Sequence, residues 1–90
     1  MKQCSVYITV GNERGIHSRI ATRLAEICTQ HKVRLIISNE QETADCSMIL
    51  DVLALGLIQG ERLRVVTEGE AAREAIQAVE QLLTAQEDPR

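Results

Sequence analysis

The sequence predicts an α+β fold in which a four-stranded antiparallel sheet carries three helices on one face, in the order βαββαβα. Four short segments favour strands, and three others repeat apolar residues at helical intervals. The 90 residues suffice for one modest core, and the chain has no linker, repeat or low-complexity tract. We therefore expect one domain over residues 1–85, followed by a short, loose and charged tail over residues 86–90.

The first strand and the first helix are predicted from residue types and spacing. Gln3–Val10 contains the run V-Y-I-T-V, which favours a strand, and the pair Gly11-Asn12 ends it. From Ser18 to Thr29, apolar residues recur at intervals of three and four, the period of one helical face. These residues are Ile20, Ala21, Leu24, Ile27 and Cys28.

The middle of the chain predicts a hairpin followed by a short helix. Val33–Ile37 reads as a short apolar strand, Asn39–Gln41 supplies turn residues, and Thr43–Cys46 can return as the antiparallel partner. The apolar run Met48–Gly56 fits either a buried strand or a short helix. We predict a helix, because Leu, Ala and Met favour one and Gly56 is a natural stop.

The last strand and the last helix each present one apolar face. Arg62–Thr67 predicts the strand, and Glu70–Thr84 predicts the longest helix, with acidic residues in its first turns. The strand alternates Leu63, Val65 and Thr67 with Arg62, Arg64 and Val66. The helix has a stripe of Ala72, Ala75, Ile76, Val79, Leu82 and Leu83. Since all helices share one face of the sheet, the other face is expected to be partly wet.

Composition excludes several classes of function. One tyrosine is the only aromatic residue and the net charge is −3, so the chain lacks the stacking residues and basic stripe of nucleic-acid-binding proteins. It has neither an apolar run of roughly 20 residues nor a signal peptide, so we expect a cytoplasmic protein without membrane insertion. Cys4, Cys28 and Cys46 are widely spaced and are predicted to be reduced structural thiols. No metal or cofactor is expected.

The stretch G-I-H-S-R-I-A, residues 15–21, combines features of an anion site. A helix start exposes backbone N–H groups and the positive end of the helix dipole. Gly15 allows a tight turn, Ser18 can satisfy a backbone donor, and the guanidinium of Arg19 can reach the same anion. The imidazole of His17 is a nucleophile suited to phosphoryl transfer. The plainer alternative is that His17 only caps the helix, and His31, at the end of that helix, is expected to be structural.

These residues resemble a known family, the phosphocarrier protein HPr family, over nearly the full chain. G-I-H-S-R-I-A is similar to the family motif G-[LMI]-H-[AT]-R-P-A, and residues 47–61 are similar to the family's second-helix region. The resemblance implies an HPr-like open-faced β-sandwich and a monomeric carrier of the phosphoenolpyruvate-dependent phosphotransferase system, with no enzymatic turnover. It also implies that His17 accepts a phosphoryl group on Nδ1 from enzyme I and donates it to an enzyme IIA-type or regulatory component.

The resemblance implies further site residues. Arg19 would assist the bound phosphoryl group, and Gly15 with the backbone of Ser18 and Arg19 would help to hold it. Ile49, Leu50 and Leu53 match apolar second-helix positions and would form a partner-docking patch, although each could instead belong to the core. Such a patch makes independent sense, because a nearly continuous apolar helix cannot bury every side at once.

The sequence also departs from the family pattern. Ile20 replaces the motif proline, which removes some pre-organisation of the first turn. Met48 stands where many members carry a regulatory serine, so seryl phosphorylation is not expected at that position. Ser47 is its neighbour and could substitute for the serine only if the local backbone shifts; the sequence leaves this open. Basic residues around the site are thinned to Arg14, Arg19 and Arg23. The sequence leaves the sugar and nitrogen-type branches open.

Two other functions compete with the carrier. One is an HPr-like regulator that acts by docking with little or no phosphotransfer, which the substitutions Ile20 and Met48 would suit. The other is a ligand-sensing domain of ferredoxin-like shape, which would form a tight dimer.

Overall fold

The computed structural model describes residues 2–89 and has the predicted order βαββαβα. The strands are β1 (Gln3–Thr9), β2 (Arg34–Ser38), β3 (Thr43–Asp45) and β4 (Arg62–Glu68). The helices are α1 (Ser18–His31), α2 (Ile49–Ala54) and α3 (Ala72–Thr84). The ambiguous run after Met48 is therefore a helix, as predicted, and the α+β fold class is confirmed.

The sheet has the strand order β1-β4-β2-β3, and all three neighbouring pairs are antiparallel. β4 lies inside the sheet, where Val65 stands opposite Val6 of β1 and Ile37 of β2. A ferredoxin-like sheet places β1 inside and β4 at the edge. The alternative of a ligand-sensing domain with a ferredoxin-like shape is therefore wrong in topology.

The core lies between the sheet and the helices. All five residues of the predicted α1 stripe are buried, and on α3 only Leu82 of the predicted stripe is half-buried rather than buried. The thiols of Cys28 and Cys46 are free and buried, and Cys4 is free and half-buried. Burial raises the pKa of the Cys46 thiol, which suits a structural side chain.

The other face of the sheet is open to solvent, as expected. Tyr7 on β1 is 61% exposed there. The guanidinium of Arg62 on β4 lies 4.5 Å from the centroid of the Tyr7 ring, which is a cation–π distance.

The end of α1 and the start of α3 each differ from the predicted boundary by two residues. α1 continues past Thr29 to His31, and Lys32 ends it in the left-handed conformation, with φ of 53° and its N–H donating to the carbonyl of Cys28. Glycine commonly takes this position, and the sequence has none here to signal the end. α3 begins at Ala72 rather than Glu70, because Gly69 starts a turn in which the N–H of Ala72 donates to the carbonyl of Gly69.

Backbone hydrogen bonds join the loop before α1 to the loop before β4. The N–H of Val10 donates to the carbonyl of Glu61 at 2.9 Å, and the N–H of Gly60 donates back to the carbonyl of Val10 at 2.8 Å. Further along, the N–H of Ile16 donates to the carbonyl of Leu57 at 3.0 Å. These bonds fix the point at which the chain enters α1.

Candidate functional site

Gly15 sets the direction in which the chain enters α1. Its φ is +69°, in the region where side chains are strained, and a Cβ there would lie 2.2 Å from the carbonyl oxygen of Leu57. Its N–H donates to the carbonyl of Asn12 at 2.9 Å. Only glycine meets both the conformational and the steric demand, so this position orients His17 two residues later.

His17 is the N-cap of α1. Its backbone is extended, with φ of −99° and ψ of −176°, and its Nδ1 accepts a hydrogen bond of 3.2 Å from the N–H of Arg19. Ser18 is the first residue of α1, where the helix was predicted to begin, and the N-cap is His17 rather than Ser18. Capping does not exclude a role in phosphoryl transfer, because the Nδ1 lone pair that accepts from Arg19 is the one that a nucleophile would use once that bond is released.

The opposite nitrogen of the ring contacts a residue from the far end of the sequence. Nε2 of His17 lies 2.9 Å from Oδ1 of Asp88. The same oxygen accepts from Nδ2 of Asn12 at 2.8 Å, and Oδ2 accepts from Nη1 of Arg14 at 2.9 Å. The hydrogen bond from Asn12 and then that from His17, together with the charges of His17 and Arg14, lower the pKa of Asp88 from 3.8 to about 2.

These contacts fix the tautomer of the neutral imidazole. A backbone N–H can only donate, so Nδ1 of His17 must present a lone pair to Arg19. An ionised carboxylate can only accept, so Nε2 must carry the proton that it shares with Asp88. The nitrogen that faces the helix start is therefore the nucleophilic one.

The first turn of α1 offers further donors beside Nδ1. Within residues 2–89, the N–H groups of Ser18 and Ile20 have no acceptor, since the next N–H to bond is that of Ala21, to the carbonyl of His17. Ile20 supplies a donor that the motif proline lacks, and its side chain is only 1% exposed and packs in the core. The helix thus begins at the expected place without the proline.

The three arginines of the predicted basic cluster have different surroundings. Arg14 is paired with Asp88, and Nε of Arg23 lies 3.6 Å from Oε1 of Glu26 on the same helix. Arg19 is exposed and lines a shallow depression beside the start of α1, as Arg23 also does. Of the three, Arg19 is the one that stands between Ser18 and Ile20 in the chain, next to their free N–H groups.

The predicted docking trio divides between surface and core. Leu50 is 79% exposed, whereas Ile49 and Leu53 are half-buried and pack against the core. Met48, which replaces the family's regulatory serine, is 55% exposed beside them. The apolar surface of this short helix is therefore formed chiefly by Leu50 and Met48.

Ser47 is held in the turn before α2. Its hydroxyl donates to Oδ1 of Asp45 at 2.8 Å, and its N–H donates to the same oxygen at 2.9 Å. These two bonds lower the pKa of Asp45. Met48 is the N-cap of α2 and makes no side-chain capping bond, because a methionine lacks the hydroxyl that a serine would have at that position.

Sequence reasoning missed two residues of the site. Asn12 was assigned only to the end of a strand, yet its side chain is 2% exposed and anchors Asp88. Asp88 was placed in a loose tail, but its side chain is only 25% exposed and contacts His17, which precedes it by 71 positions. No local pattern signals such a contact. Arg90, the last residue of that tail, lies outside the described residues.

Residues 2–89 include no helix with the length and hydrophobicity that a membrane span requires. Nor do three His, Cys, Asp or Glu side chains in this range come together as metal ligands would.

The sheet is open and antiparallel, with three helices on one face and a histidine at the start of the first helix. This combination is the fold class of small phosphocarriers. A crystal structure of a phosphocarrier protein HPr from Bacillus anthracis matches with a TM-score of 0.81, covering 90% of this chain and 96% of that one at 20% identity. The structure entitled HPr-C-His from Thermoanaerobacter tengcongensis matches with a TM-score of 0.80 at 25% identity, covering 92% and 91% of the two chains. The predicted open-faced sandwich is confirmed.

The sequence comparison identifies the family. The family described as "PTS HPr component phosphorylation site" matches residues 4–85, and the chain belongs to this HPr family. Phosphocarrier protein HPr of Lysinibacillus sphaericus is 34% identical over 76 residues, which are 84% of this chain and 86% of that protein. HPr proteins are carriers of a phosphoryl group rather than enzymes.

Longer proteins contain a similar segment. The multiphosphoryl transfer protein of Haemophilus influenzae is 34% identical over 74 residues, which are 79% of this chain but only 15% of that protein. The match to the multiphosphoryl transfer protein of Salmonella typhimurium covers 21% of that protein. The present chain thus spans a small part of these relatives.

Proposed function

We propose that this chain carries a phosphoryl group on Nδ1 of His17 in the phosphoenolpyruvate-dependent phosphotransferase system. It accepts the group from enzyme I and donates it to an enzyme IIA-type or regulatory component. It acts as a monomer in the cytoplasm.

The two hydrogen-bond contacts of the His17 ring are the observation that carries this proposal. Nδ1 holds a lone pair at the start of α1, where the N–H of Arg19 already points at it. When Nδ1 takes up a phosphoryl group, that N–H and the free N–H groups of Ser18 and Ile20 are donors for its oxygens. The exposed guanidinium of Arg19 adds a cation beside the same anion.

Partners approach this site over exposed apolar surface. Leu50 and Met48 present side chains to solvent on α2, and α2 packs against α1, which begins at the site. Apolar residues exposed together are typical of protein-binding surfaces. We assign the docking of enzyme I and of the acceptor to this surface, with Ile49 and Leu53 supporting it from below. No observation favours the docking regulator that lacks phosphotransfer.

The test is the intact mass of the protein after incubation with phosphoenolpyruvate, Mg²⁺ and enzyme I from the same organism. We expect the gain of one acid-labile phosphoryl group, and its absence in His17→Ala. His31→Ala is the matched control and keeps the label, since Nδ1 of His31 is engaged with the carbonyl of Ile27 at 3.1 Å. Circular dichroism verifies that both variants are folded.

Two results would contradict the proposal. The first is an unphosphorylated wild-type protein beside an enzyme I that phosphorylates its own authentic carrier. The second is phosphorylation of His17 at Nε2, as read by NMR of the phosphorylated ring, because that nitrogen lies against the Asp88 carboxylate.

A further inference from the structure

Asp88 lies against the one ring nitrogen that the phosphoryl group does not use. It contacts Nε2 of His17 at 2.9 Å, and the ring is 15% exposed while the Asp88 side chain is 25% exposed. Since the pair is largely shielded from water, its electrostatic interaction is screened less than that of a surface pair. Nδ1 faces the helix start, where it accepts from the N–H of Arg19 at 3.2 Å.

The carboxylate is held in place by groups other than His17. The Oδ1 atom of the buried Asn12 accepts from the N–H of Arg14 at 2.8 Å, which turns its amide nitrogen toward Asp88. The guanidinium of Arg14 binds the second carboxylate oxygen at 2.9 Å. Asn12 and Arg14 therefore form a cradle that fixes the carboxylate whether or not the ring is modified.

The charge balance of phosphoryl transfer gives this carboxylate a role. The lone pair of Nδ1 attacks phosphorus, the P–N bond forms, and the bond from phosphorus to the donor breaks with its electron pair leaving on the donor. The ring keeps its proton on Nε2 and so becomes a cation. In donation, the P–Nδ1 bond breaks, its electron pair returns to Nδ1, and the ring is neutral again.

We propose that Asp88 is a positioning residue for this transfer: its carboxylate holds the proton on Nε2 of His17 and balances the positive charge that the ring acquires. This role rests on the proposed function. It resembles the carboxylate that orients the histidine of hydrolase triads and stabilises the imidazolium formed there. Here the carboxylate comes from segment 85–89, which follows α3 and folds back to the site.

The kinetic test compares Asp88→Ala, Asp88→Asn and Asp88→Glu for single-turnover transfer from phosphorylated enzyme I. Asp88→Ala is expected to lower the maximal rate about tenfold, while the concentration of carrier that gives half the rate changes little. Asp88→Asn keeps a hydrogen-bond acceptor but no charge, so it should be slowed similarly. Asp88→Glu should recover most of the rate.

Glu87→Ala is the matched control. Glu87 is exposed, and its variant removes the same charge from the same segment, so the rate should stay at the wild-type value. A purely structural role for segment 85–89 predicts instead that Asp88→Asn transfers like the wild type. Wild-type rates in Asp88→Ala or Asp88→Asn, or faster transfer in either, overturn the proposal; faster transfer would show that Asp88 inhibits the site.

A spectroscopic test uses the unphosphorylated protein. The proton on Nε2 of His17, shared with Asp88, should give a downfield NMR signal correlated with Nε2. Asp88→Ala should lose this signal to exchange with water, while Glu87→Ala retains it. Absence of the signal in the wild type overturns the contact itself. A wild-type protein that is never phosphorylated defeats the proposed function, whereas normal phosphorylation of Asp88→Ala defeats only the role of Asp88.

Discussion

Replacement of Gly15 by alanine tests how the turn before α1 is built, and Gly56 provides a matched control. Both glycines have positive φ, +69° and +60°, so alanine is strained at either position. At Gly56 nothing lies within 4 Å of the added Cβ, whereas at Gly15 the Cβ meets the carbonyl oxygen of Leu57 at 2.2 Å. The two variants thus share the conformational cost and differ in the steric one.

The magnitude follows from these two costs. The left-handed conformation costs alanine roughly 1–2 kcal/mol, and this alone applies to Gly56→Ala. In Gly15→Ala the carbonyl of Leu57 must also move, which breaks its hydrogen bond from the N–H of Ile16. Leaving a buried backbone group without its partner costs about 1–3 kcal/mol. We therefore expect Gly15→Ala to be less stable than Gly56→Ala by about 2 kcal/mol or more.

Urea unfolding followed by far-ultraviolet circular dichroism measures this difference, since the chain has no tryptophan to report by fluorescence. Equal slopes of free energy against urea for the two variants show that the midpoints can be compared. Free energies of unfolding that agree within about 0.5 kcal/mol would refute the steric argument. Gly15→Ala should also be phosphorylated more slowly than Gly56→Ala, because His17 loses its orientation.

Two further predictions concern the docking surface and the contact of Asp88. Leu50→Glu should slow transfer between proteins while changing stability by no more than about 0.5 kcal/mol, since Leu50 is 79% exposed. Tyr7→Glu makes a similar change on the open face of the sheet and should leave transfer unchanged; equal rates for both variants would mean that docking lies elsewhere. Because the pKa of Asp88 is lowered from 3.8 to about 2, its contribution to stability is complete above pH 3.8 and is lost as the pH falls toward 2. The NMR shift of the Asn12 side-chain amide should follow this loss, and a midpoint near 3.8 would show that the contact does not favour the ionised form.

Much of the fold follows from local patterns. The apolar periodicity of α1 and α3 and the residue types of β1 predict these elements, because a helix or strand must bury the face that its own spacing creates. The ends of these helices were predicted less well. Lys32 ends α1 in a conformation usual for glycine, so the residue type there gives no signal of the helix end.

The exposure of α2 could not be predicted residue by residue. Its apolar run identifies a helix with more apolar surface than one neighbour can cover. The position of the core beneath it decides that Leu50 faces solvent while Ile49 and Leu53 are half-buried. The sequence therefore predicts that a patch exists, and packing selects its members.

The sequence by itself determined the helix start that presents His17, because Gly15, the histidine and Arg19 act within a few residues of one another. Only the tertiary structure decided what faces the opposite nitrogen of that ring. Nε2 contacts Asp88, which follows His17 by 71 positions and is held by the buried amide of Asn12. A hydrogen bond between distant segments forms only when the sheet and helices bring them together, so the residue types alone carry no signal of it.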